Sequence, residues 1–126
     1  MTRFPTLLTA SFLALTLILS GCGSKATEDP AKKGANDLIS VTNDIKKEID
    51  AGNDTKVKEL GPKLEETWAT FEDSVKTNYA DDYEKIEESL NPEVAATKAS
   101  QIDSKIVSQL NDNLNKTLTE LVQKMK

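Results

Sequence analysis

The chain has 126 residues, 37% of them hydrophobic, and a formal net charge of −5. It contains no histidine and a single cysteine, which excludes Ser-His-Asp and Cys-His nucleophile systems and leaves zinc, copper and haem sites without their usual ligands. Its acidity repels a phosphate backbone, so nucleic acid is excluded as a partner and the composition reads as a binding or interaction protein, not an enzyme.

The N-terminus carries the most specific signal. Arg3 is followed by an uncharged apolar run from Leu7 to Leu19, closed by Leu19-Ser20-Gly21-Cys22. This is the layout of a secretory signal peptide, with a thiol where small residues alone usually stand. The run is about 13 residues, short of the roughly 20 that span a bilayer as a helix. The closing tetrapeptide resembles the bacterial lipobox. That resemblance implies cleavage after residue 21, a diacylglyceryl group on the sulfur of Cys22, further acylation (palmitate-type chains) of the new N-terminus, and anchorage to membrane lipid at the extracytoplasmic face of the cell membrane. Several acyl chains hold firmly where one binds marginally. Loss of Arg3 with the signal would take the formal charge from −5 to −6. Residues 22–30 are small and polar and read as the lipidated cysteine and a flexible tether, with Asp29-Pro30 placed to start a helix.

From residue 31 to 126 the pattern is helical. Leu38, Val41, Ile45 and Ile49 recur at three- and four-residue steps, and Gly52 and Asn53-Asp54 supply a stop and a new start. Val57, Leu60, Leu64, Trp68, Phe71, Val75 and Tyr79 carry one apolar stripe for over five turns, across Gly61-Pro62. The unchanged phase predicts one kinked helix there. Asp81 with Glu84 fits a capping box ahead of Tyr83, Ile86 and Leu90, and Asn91-Pro92 either kinks that helix or restarts it. Ser100 with Asp103 predicts a last start before Ile106, Leu110, Leu114, Leu118, Leu121 and Met125. The polar Asn111, Asp112 and Asn113 are expected to flank this stripe. Punctuation every 20–25 residues favours a folded-back arrangement over a long coiled coil, so the expected fold is all-α, an antiparallel up-down four-helix bundle.

Two carboxylates share helical faces with aromatic anchors: Glu72 lies four residues after Trp68, and Glu87 four after Tyr83. Where two such faces meet, Glu72, Glu87 and Tyr83 could hold a hard cation such as Fe³⁺ or Ca²⁺ through oxygen. The simpler reading pairs Glu72 with Lys76 and lets Trp68 or Tyr83 donate to a flanking carboxylate. The order Ile49-Asp-Ala-Gly-Asn-Asp54, Trp68, Phe71-Glu72-Asp73-Ser74-Val75-Lys76 and Tyr83-Glu84-Lys85-Ile86-Glu87-Glu88 resembles the extracytoplasmic helical domain that precedes the membrane part of bacterial high-affinity iron permeases. The ferric Arg-Glu-x-x-Glu segments of those permeases do not occur here. The resemblance therefore implies an accessory role in iron uptake beside a membrane partner such as a permease. A structural or protein-interaction lipoprotein with no metal ligand is the alternative.

Overall fold

A computed structural model describes residues 29–125. The expected signal peptide, the lipobox cysteine Cys22 and all but the end of the tether lie outside them. Five helices follow in order: α1 Pro30–Asp50, α2 Asp54–Ala69, α3 Glu72–Asn78, α4 Ala80–Thr97 and α5 Ser104–Lys124. No described residue is in a strand. No helix among them is long and apolar enough to cross a membrane.

The helix ends follow from local chemistry. Asp29 caps α1, its side chain accepting from the N–H of Ala31, with Pro30 at the first helical position. Gly52 adopts φ +68° just beyond the end of α1. Its N–H donates to Ile49 O and that of Asn53 to Glu48 O, so the last carbonyls of α1 are satisfied. Asn53 and Asp103 cap α2 and α5. Pro62 and Pro92 both lie inside continuous helices, so neither begins a new one.

Long helices pair start to end. Lys32 at the start of α1 reaches the carbonyl of Met125 after α5 (3.2 Å), and Lys46 near its end reaches Ser108 (2.9 Å). Lys58 of α2 reaches the carbonyl of Ser100 beyond α4, whereas Trp68 bonds Glu87. Lys124 at the end of α5 bonds Asp82 at the start of α4 (2.6 Å). Neighbouring long helices therefore run in opposite directions, with α1 and α4 each lying against both α2 and α5. Leu38, Ile45, Leu64, Ile86, Leu90, Leu114, Leu118 and Leu121 fill the space between them.

Three expectations are corrected. The long second helix is split: Thr70 and Phe71 close α2 with N–H bonds to Thr67 O and Trp68 O, and the short α3 follows. The Thr70 hydroxyl also donates to Thr67 O (2.6 Å), drawing on a carbonyl of that last turn. Phe71 thereby swings inward against Gly34 of α1. The capping box at Asp81 and Glu84 does not form, because Tyr79 occupies the cap position of α4 without a side-chain bond. Only the first turns of the α5 stripe shift by one position: Ile106 is 50% exposed while Val107 and Asn111 are buried, and Leu114, Leu118, Leu121 and Met125 are buried as expected. Asn111 enters the interior because Thr42 receives it there, the Asn111 amide donating to Thr42 O at 2.9 Å.

Candidate functional site

The end of α2, α3 and the first half of α4 enclose the aromatic anchors. Trp68 is buried and lies edge-on to Phe71, with centroids 5.0 Å apart and planes at 88°. Tyr83 of α4 stacks obliquely on Trp68 at 5.7 Å. The Lys76 ammonium stands 5.3 Å from the Tyr83 ring centre, a cation–π position.

The expected site residues occupy this corner in different ways. The Trp68 indole N–H donates to Glu87 Oε1 at 2.5 Å, and Asn91 donates to Glu87 Oε2 at 2.8 Å. Each oxygen of Glu87 thus already accepts a hydrogen bond, one charge-assisted from a buried ring. Glu72 opens α3 half-buried, where its negative charge suits the first turn. Lys76 sits over Tyr83, so the expected Glu72–Lys76 pair is not formed. Among the described residues, no group of three or more Asp, Glu, His or Cys side chains stands close enough to hold a metal ion. What the geometry provides is an aromatic corner with one carboxylate locked onto it.

The sequence reading missed the most unusual group. Glu93 is 0% exposed, and neither carboxylate oxygen has a hydrogen-bond partner. Burial, with a smaller push from the charge of Asp112 on α5, raises its pKa to about 8. Asn111 Oδ1 is buried and unpartnered as well. The signal was legible in principle: Leu90, Glu93, Val94 and Thr97 are spaced i, i+3, i+4, i+7, so Glu93 falls on the apolar face of α4.

Two open clefts complete the surface. One of about 260 Å³ runs between α4 and α5, bordered by Lys85, Glu88, Asn113, Lys116 and Glu120. Another of about 530 Å³ lies at the starts of α2 and α5, bordered by Asp54, Ile102, Asp103 and Lys105. Both are polar, and their charged groups are those expected on solvated helix faces.

Comparison with known proteins finds one informative likeness. The chain is 20% identical, over 123 aligned positions covering 86% of its length, to the iron uptake system component EfeM of Bacillus subtilis (strain 168). It spans about a third (32%) of that protein. No family model and no solved structure matches the chain.

Proposed function

We propose that this chain is a non-enzymatic accessory component of an iron-uptake system, anchored by acylated Cys22 at the extracytoplasmic face of the cell membrane. The observation that carries the reading is the likeness to an iron uptake component along 86% of the chain. The motifs of segment 49–90 that resemble the permease domain lie within that same stretch and point the same way. The bundle acts through its surface, presented to a membrane partner of the permease type. A cation carried on Glu72, Glu87 and Tyr83 is the second reading. The bonds from Trp68 and Asn91 to Glu87 favour the first, since a metal would have to displace or share both.

Titration calorimetry separates the two. The full chain is expected to give no saturable heat with Ca²⁺, Mn²⁺ or chelated Fe³⁺. A saturable heat that disappears in Glu72→Gln/Glu87→Gln would make the bundle a cation carrier and displace the surface reading.

A further inference from the structure

Two lengths limit how a bundle held at Cys22 can stand. Gly23 to Asp29 span about 24 Å at full extension, whereas the 21 residues of α1 rise about 31 Å. The bundle therefore cannot invert to stand on the far end of α1. The end that can face a membrane partner squarely is the one where α1 starts. The fold gathers the end of α2, α3, the start of α4 and the end of α5 there: Lys32 reaches the carbonyl of Met125, Gly34 meets Phe71, and Lys124 bonds Asp82. The starts of α2 and α5, with their open cleft, lie at the opposite end.

At the near end, α3 is the element with an uncovered outer face. It packs on α1, α2 and α4, yet Val75 is its one buried residue, and Asp73, Lys76, Thr77 and Asn78 are exposed. Tyr79 and Tyr83 follow, both half-buried. Neither tyrosine hydroxyl has a hydrogen-bond partner among the described residues, so each offers an apolar ring and an unused polar tip, the combination that interfaces favour. The charge on this face is unbalanced. Glu72, Asp73 and Asp81 stand against Lys76, while Asp82 is cancelled by Lys124. The opposite end mixes signs instead, with exposed Asp50, Asp54 and Asp103 beside Lys98 and Lys105. An acidic face is repelled by anionic lipid headgroups and drawn to a basic protein segment.

We propose, on the strength of the anchored accessory reading above, that the outer face of α3 with Tyr79 and Tyr83 is the surface that docks on the membrane partner, against a lysine- or arginine-rich extracytoplasmic loop. The opposite end of the bundle, with its cleft, points away from the membrane and takes no part in this contact.

Photo-crosslinking of the full chain in cells of the source organism reads this directly. The substitutions are Thr77→p-benzoylphenylalanine on α3 and, as the contrast, Gln101→p-benzoylphenylalanine at the opposite end; both side chains are exposed. On irradiation the probe at position 77 is expected to join a multi-spanning membrane protein, identified by mass spectrometry of the adduct, and the probe at position 101 is not. Adding Asp73→Asn/Asp81→Asn is expected to lower the yield of that adduct about tenfold, with palmitate labelling unchanged. No protein adduct at position 77, an adduct there with lipid alone, an equal or greater yield from position 101, or a yield indifferent to the lost charges would each overturn the assignment. The accessory reading is judged separately, by iron uptake: it stands if uptake still depends on the chain when the α3 face proves idle, and it fails, taking this surface with it, if uptake ignores removal of the chain.

Discussion

Replacing Glu93 by Gln will stabilise the protein, and the gain will grow with pH. The sign follows from which state holds the proton more tightly. Burial raises the folded-state pKa to about 8, whereas the unfolded chain titrates near 4.3. Below the unfolded value both states are protonated and the native residue costs nothing through ionisation. As pH rises, the unfolded chain releases its proton first, and stability falls by about 1.4 kcal/mol per unit until the folded state titrates too. Gln has no proton to lose, so its advantage should be nearly absent near pH 4, about 4 kcal/mol at pH 7 and about 5 kcal/mol at pH 8. Met should add to this by removing an unpaired polar group from the core. Urea unfolding at several pH values checks it: the native chain is expected to weaken steadily from pH 5 to 8, and the variant to lose that component. Parallel curves would place Glu93 in contact with water.

The second large effect comes from close helix approach. A Cβ at Gly61 would lie 2.7 Å from Thr97 Cβ, and one at Gly34 would lie 2.6 Å from Phe71 Cγ and 2.9 Å from Phe71 Cβ. Mid-helix Gly→Ala normally gains about 1 kcal/mol from helix propensity. Here overlap outweighs it, because Cβ and Cγ sit close to the backbone and cannot rotate aside as a flexible chain end could. Overpacking of this kind costs about 1–3 kcal/mol, so both Gly61→Ala and Gly34→Ala should lower the urea midpoint. Gly34→Ala should also disturb the Phe71–Trp68 edge contact, visible as a change in Trp68 fluorescence. A raised midpoint in either variant would show that the helices have room to separate.

Much of the architecture was legible in the sequence because it is written in local chemistry. Pro30 after Asp29, Gly52 before Asn53, and Asp103 before a clean stripe each satisfy or end a helix within a few residues, and the structure uses all of them. The unbroken phase across Gly61-Pro62 correctly indicated a continuous helix. What escaped was decided across helices. The split at Thr70–Phe71 turns on Phe71 finding Gly34 in α1, a neighbour 37 positions earlier that no window around Phe71 contains. Asn111 is drawn into the core by a carbonyl on α1. Asp82 is buried at 5% exposure, bonded to Lys124 from the far end of the chain. Asn111 is expected beside the stripe because its residue type outweighs its spacing, and the same preference hides the apolar-face position of Glu93. At the aromatic corner, the proximity of Glu87 to Trp68 was anticipated in kind. Donation from Trp68 to a flanking carboxylate was likewise expected; that the donor is the indole and not Tyr83, and the acceptor Glu87, is a matter of ring orientation, which spacing does not encode.

The functional reading rests on an anchored helical domain taking part in iron uptake, and uptake itself tests it most directly. Labelled ferric iron would be followed in iron-limited cells of the source organism that carry the native chain, lack it, or carry only Cys22→Ser. Uptake is expected to fall when the chain is removed, to return with the native chain and not to return with Cys22→Ser, which also fails to incorporate labelled palmitate. Uptake that is unchanged by removing the chain would contradict it.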